Sequence, residues 1–373
     1  MNALITHSLS VFILTTGGMA RAAEVHTPPP PKDKISICVP YFREEFLSLA
    51  VMAARDRGFF AKNGLDVSIV AIPSADVTRK KRTREIGQLP PNLLNDYNVA
   101  LKVSQSPATC QFGTSNVERF LSRDDIAQSE TIPLLLSSYG EDYDTHLVVA
   151  ADSKIKTVAD LKGKTIRMGQ APVRMALEEI LSEAGLTLAD VKQAYSIRAT
   201  DVLASLESGK LDAAVTYVPT MPYMLASGKV RILKSNIVKN YLGASIPHSL
   251  VIANRKFAAH ADGTVKRFIL AVNQASDYIR RNPTEAIYVL QRNSALLGAA
   301  PWKLSAVTVE KAGEFIGKIS TVDLYNSAPS RVEAQSMLKN YGSMLKSHGL
   351  VTEQVDLSAW LNLAVKDNKV TAL

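Results

Sequence analysis

Four short runs carry the residue types that can do chemistry here: Tyr41-Phe42-Arg43, Gly113-Thr114-Ser115, Gln170-Ala171 and Tyr217-Val218-Pro219. Each stands between an apolar segment and residues spaced for a helix. Helix starts present unpaired backbone N–H groups and the positive end of the helix dipole, which suits holding a ligand rather than breaking a bond. Pro172 and Pro219 fit the first position of a helix. Ser115 with Glu118 fits a capping box, so its hydroxyl either caps a helix or meets a ligand. Arg43 either pairs with an anionic group or sits solvated at the surface. Tyr41, Phe42, Tyr139, Tyr217, Met221 and Tyr223 gather near the same runs and can wall an organic ligand, with core packing the competing role for Phe42 and Met221. The expected contact set is Tyr41, Phe42, Arg43, Gly113, Thr114, Ser115, Gln170, Ala171, Tyr217, Val218 and Pro219.

Catalysis of the common kinds finds no support. His7, His26, His146, His248, His260 and His348 are scattered and form no H-E-x-x-H. There is no G-x-S-x-G elbow, P-loop, G-x-G-x-x-G or C-x-x-C. Cys110 lies near a proposed contact loop, but no base has a sequence reason to stand beside it. The chain is expected to be no enzyme, with no catalytic residues, metal or cofactor.

The elements that position these runs repeat. Ile35 to Val39 reads as a buried strand, followed by a loop and a helix with Phe46, Leu49, Ala50 and Ala53 on one face. Leu65, Val67 and Ile69 alternate as the next strand. The same order returns as a strand over 165–168, a loop over 169–172, a helix carrying Val173 to Ala184 that ends at Gly185, and a strand over 193–197. A second matched pair follows: Thr109 to Phe112 leads into a loop over 113–116, and a strand over 212–216 leads into Tyr217-Val218-Pro219. Strands alternating with helices imply parallel sheets covered on both faces, in two lobes of like construction. Loops at the carboxyl ends of such strands are where open α/β sheets hold ligands, so two loops from each lobe face a shared cleft. From Val265 onward the chain reads as mainly helical, broken and restarted at Asn282-Pro283.

Composition sets the frame. With 46% hydrophobic and 21% charged residues over 373 positions, the chain can bury ordinary cores in two or three domain-sized units. The apolar stretch Leu9 to Leu14 followed by Ala20-Arg21-Ala22-Ala23 predicts an export signal over 1–23, and Pro28 to Pro31 a stiff tether. The net charge of +8 speaks for solubility. Its densest run, Arg79 to Arg84, lacks interleaved aromatics, and no nucleic-acid partner is expected. Cys38 and Cys110 either pair or remain buried thiols.

These features resemble a known family, the periplasmic solute-binding proteins of the nitrate, sulfonate, taurine and pyrimidine-precursor uptake type (NMT1/SsuA-like). Residues 49–67, ending in Gly64-Leu65-Asp66-Val67, are similar to that family's helix, turn and strand. Ile155 to Lys164 is similar to its approach to the second lobe, Ser208 to Ala214 to its small-Gly-x-x-Asp-Ala element, and Asn254 to Phe257 with Tyr278 to Pro283 to its return. The resemblance implies an α/β fold of the periplasmic binding protein type 2 kind, with two doubly wound lobes and a ligand cleft between them. It places lobe one at 35–138 and 248–373, and lobe two at 139–247, with crossings near 137–143 and 244–249. It implies a monomeric, periplasmic component of an ABC transporter, with a small-molecule ligand and a membrane permease as partners. The residues before Pro219 lack the carboxylate often found there, which favours an organic sulfonate or carboxylate. An enzyme of the same fold in thiamine or menaquinone biosynthesis, or a ligand-sensing domain, is the alternative.

Overall fold

The computed structural model describes residues 33–40, 46–72, 99, 102–105, 109–117, 130–138, 145–169, 171–194, 201–216, 221, 224–225, 227–243, 246–293, 321–325 and 328–350. The expected export signal over 1–23, the prolines at 28–31 and the basic run over 79–84 lie outside them.

The chain opens with β1 (Asp33–Pro40), α1 (Phe46–Asp56), the single turn α2 (Phe59–Lys62) and β2 (Leu65–Ile72). Gly64 has φ 71, a left-handed turn that leads from α2 straight into β2. Next come β3 (Phe112–Asn116) and β4 (Thr131–Ser138). A second group follows: β5 (His146–Ala150), β6 (Thr165–Arg167), α3 (Ala171–Ser182), β7 (Lys192–Ala194), α4 (Val202–Glu207), β8 (Ala213–Thr216), β9 (Val230–Lys234) and α5 (Ile237–Leu242). The chain then runs through β10 (Pro247–Asn254), α6 (Arg255–His260), α7 (Asp262–Arg281), α8 (Pro283–Arg292), β11 (Thr321–Asp323) and α9 (Ala328–Ser347).

Among the described residues these strands form two sheets, one ordered β11-β4-β10-β3-β1-β2 and the other β7-β6-β8-β5-β9. The expectation of parallel sheets needs correction, because both are mixed. β1 pairs in parallel with β2 and β3, and β6 with β7 and β8, but β10 runs antiparallel to β3 and β4, and β5 antiparallel to β8 and β9. The cause is connectivity. β5 and β10 are the strands by which the chain arrives from the other sheet. Without a crossover helix to return it to the starting end, each enters at the end the chain has just left, and so runs backwards.

The stretch 113–116, expected as a loop, is instead the body of β3. Its small polar residues resemble turn formers, yet Gly113 to Asn116 are all buried and pair with Ser249 to Ile252 of β10. A Cβ on Gly113 would lie 2.7 Å from Val99 Cγ1 and 2.8 Å from Val103 Cγ2, so glycine there admits the packing of a neighbouring segment.

One apolar core runs from the first sheet onto one face of the second, and a smaller cluster around Val148, Leu206, Ala214 and Met224 covers the second sheet's other face. Phe112 stacks on Phe268 of α7 at 4.0 Å between centroids. α1 is held to α7 and α8 by Asp56, which accepts from Asn293 Nδ2 at 2.8 Å, and by Arg57, which pairs with Glu285 and lies over the Tyr278 ring. Cys38 and Cys110 form a disulfide, with Cα atoms 5.6 Å apart and both residues fully buried.

Candidate functional site

Strand direction fixes one end of each sheet. In the first, the carboxyl ends of β1, β3 and β4 lie beside the start of β10; in the second, those of β6, β8 and β9 lie beside the start of β5. Both crossings run between these two ends. Ser138 and Thr145 are seven residues apart in the chain, a span of at most ~25 Å, and Leu242 and Pro247 are five apart, at most ~18 Å. The strand-end edges of the two α/β sheets are therefore tethered to each other twice.

The first sheet's edge is polar and buried. Side chains alternate along β3, so Phe112, Thr114 and Asn116 share the face covered by α1 and α7, while Gly113 and Ser115 point to the other. Thr114 Oγ1 lies 3.0 Å from Ser48 Oγ in the first turn of α1. Asn116 is 0% exposed, and among the described residues neither its Oδ1 nor its Nδ2 has a hydrogen-bond partner. Ser249 pairs with Asn116 on one side and with Ser137 on the other, which puts the three side chains in a row on one face. The Ser137 hydroxyl is also buried without a partner. His248 is the extra residue between the pairings of Pro247 and Ser249 with β4, a bulge, and its Nδ1 lies 2.7 Å from Ser249 Oγ.

At the second sheet's edge, His146 Nδ1 accepts the backbone N–H of Asn236 at 3.2 Å, and burial lowers its pKa to about 4. The ring is therefore neutral at physiological pH. The Thr145 carbonyl accepts from the Ile237 N–H at 2.8 Å, while the Thr145 hydroxyl is buried without a partner. Arg167 is only 7% exposed, and its guanidinium donates to the Val215 carbonyl at 2.9 Å.

The expected contact residues are distributed as follows. Gly113, Thr114 and Ser115 lie on β3, with Thr114 toward α1 and Ser115 on the opposite face; the Ser115 hydroxyl reaches the Asn116 carbonyl at 3.5 Å. Ala171 is the first residue of α3. Tyr41, Phe42, Arg43, Gln170, Tyr217, Val218 and Pro219 fall outside the described residues, as do Glu118, Tyr139 and Tyr223. Met221 is fully buried in the main core. Sequence reasoning passed over Ser48, Asn116, Ser137, His248 and Ser249. The signal was present: β4 changes from Leu134-Leu135-Leu136 to Ser137-Ser138, and β10 from His248-Ser249 to Leu250-Val251-Ile252, so apolar strands turn polar at the same edge.

The segment from Gln111, just before β3, to Ala286 in α8 contains both crossings and most of both edges. Residues 111–286 match the NMT1/THI5-like family. The NMT1/THI5-like span bears out the resemblance drawn from the sequence and leaves β1, α1 and β2 outside it. Over 152 residues the chain is 28% identical to an Escherichia coli (strain K12) relative that carries the name of an aliphatic sulfonates-binding protein; the match covers 40% of this chain and 46% of that protein. It is also 25% identical over 257 residues to a Haemophilus influenzae relative named for thiamine biosynthesis, covering 68% of this chain and 72% of that one. This chain thus spans less than half of the first relative's length. The solved periplasmic aliphatic sulphonate binding protein SsuA from Escherichia coli superposes with a TM-score of 0.58 at 18% identity, covering 87% of this chain and 90% of that one. The desulfurization enzyme DSZB superposes with a TM-score of 0.56 at 16% identity, covering 90% and 99%. These likenesses establish the periplasmic binding protein fold, which hosts both a binding protein and an enzyme.

The motifs behind the resemblance are architectural. Asp160 accepts from the backbone N–H groups of Lys156 at 2.9 Å and Thr157 at 2.8 Å, and these bonds hold its carboxyl below the usual carboxylate range. Asp212 accepts from the Thr165 N–H at 2.8 Å and so locks the start of β8 to β6.

Proposed function

We propose that this chain is the extracytoplasmic solute-binding component of an ABC uptake transporter, which captures a small organic anion, a sulfonate or carboxylate, in the cleft between its two sheets. The observation that carries this reading is the double tether between the two strand-end edges, because it lets the edges close on one ligand and open again without unfolding either sheet. Ala171, at the start of the 12-residue helix α3, would offer backbone N–H groups to an anion, with Tyr41, Phe42, Arg43, Gln170, Tyr217, Val218 and Pro219 completing the wall. The buried disulfide favours an oxidising, periplasmic location. A membrane permease would be the partner, and the binding component would act as a monomer.

A ligand that binds only the folded form raises stability by about 2.7 kcal/mol at a hundredfold excess over Kd. In a thermal-shift screen of sulfonates, carboxylates, nitrate, amino acids and pyrimidines, the melting temperature should rise with sulfonates or carboxylates. A rise with amino acids or pyrimidines alone would overturn the ligand class. The contact between His248 and Ser249 favours a second reading, an enzyme of the same fold, since a hydroxyl within 2.7 Å of an imidazole nitrogen has the geometry of an activated nucleophile. Turnover of a hit that is abolished by Ser249→Ala would establish it.

A further inference from the structure

The row formed by Asn116, Ser249 and Ser137 is unusual in what it lacks. Both polar atoms of the Asn116 amide are buried and unpartnered, as is the Ser137 hydroxyl. Interior polar groups are ordinarily hydrogen-bonded, because an unmet donor or acceptor loses its water and gains nothing in return. One such atom can be a packing accident. Two on the same amide, at the strand-end edge and in line with a third on β4, mark a place made for a complement. That complement must itself offer a donor and an acceptor side by side, whichever way the amide is turned. A bare sulfonate or carboxylate offers only acceptors and would leave the Asn116 oxygen facing another lone pair.

Resting on the reading of the cleft as a small-molecule site, we propose that Asn116 selects a ligand with an amide-type edge, a carboxamide, ureide or lactam, at the end remote from its anionic group. The amide pairs with that edge through two hydrogen bonds, and Ser137 reaches a further polar atom of the same group. Thr114 is already engaged with Ser48 and Ser249 with His248, so among the described residues of this face Asn116 has both functions free.

The test compares matched probes: succinamate with monomethyl succinate, and ureidopropionate and pyroglutamate with their ester or methylene counterparts, by titration calorimetry on the full chain. The amide probe of each pair should bind at least tenfold more tightly. Asn116→Leu should erase that preference, bringing the amide and ester of each pair within about threefold of one another. Asn116→Leu should also melt no lower than the parent without ligand, since it removes unmet polar groups instead of made bonds. Equal binding of amide and ester, as when a water fills the row, overturns the proposal, and so does a preference that survives Asn116→Leu. Binding of a plain alkanesulfonate alone would overturn it while sparing the uptake function; binding of nothing in any class would sink both.

Discussion

His146 opens β5 with its ring in the interior, and keeping that ring neutral costs stability only where the unfolded chain would be protonated. In the unfolded chain it titrates at 6.5, whereas burial lowers the folded value to about 4. Below pH 6.5 the unfolded state takes up a proton that the folded state refuses, so stability falls with pH across that interval. His146 therefore favours folding fully above pH 6.5, and that contribution is lost progressively as pH drops toward 4, on the order of 3 kcal/mol in all. Replacing it by Gln should flatten the urea-unfolding free energy measured between pH 4 and 6.5; a profile that keeps its slope would exonerate His146. At this scale the sequence was least informative. It marked Gly113, Thr114 and Ser115 as a group, but which of these neighbours faces α1, and that Asn116 beside them has no partner, depend on strand alternation and burial.

At the scale of elements, the disulfide joins the carboxyl-terminal half of β1 to the residue two places before β3. It closes a loop of 72 residues that contains α1, α2 and β2. Closing a loop of that length restricts the denatured chain by roughly 4 kcal/mol, if chain entropy dominates. Cys38→Ala with Cys110→Ala should lower the unfolding free energy by about that amount in urea. A loss under about 1 kcal/mol would show that the denatured chain is already compact there. Most helices and strands were legible, since periods of two and 3.6 mark a buried face locally. β3 was misread as a loop because Gly, Thr, Ser and Asn are turn formers by propensity, and two flanking strands override that preference.

At the scale of the whole molecule, the two sheets are joined away from their crossings as well. His348, just past α9 of the first sheet's layer, lies 2.6 Å through Nδ1 from Glu178 Oε2 on α3 of the second. Glu178 also pairs with Arg174 at 3.2 Å. A partly exposed pair of this kind contributes about 1 kcal/mol or less. Its place matters more than its size, because α3 begins at Ala171, beside the expected ligand contacts. His348→Ala should speed amide hydrogen exchange in both α3 and the last turn of α9 while leaving β2 unchanged. Faster exchange in α9 alone would mean that the contact does not couple the layers.

The sequence by itself determined what local chemistry writes: the β-α alternation, the Asn282-Pro283 break, and the turn motifs around Gly64, Asp160 and Asp212, whose hydrogen bonds and backbone angles arise within a few residues or at one strand pairing. Only the tertiary structure decided that Cys38 meets Cys110, that β5 and β10 run against their neighbours, and that Asn116 and Ser137, in one row with Ser249, have polar atoms unmet. Those facts depend on pairings between distant segments, and nothing local marks which strand a given strand will join.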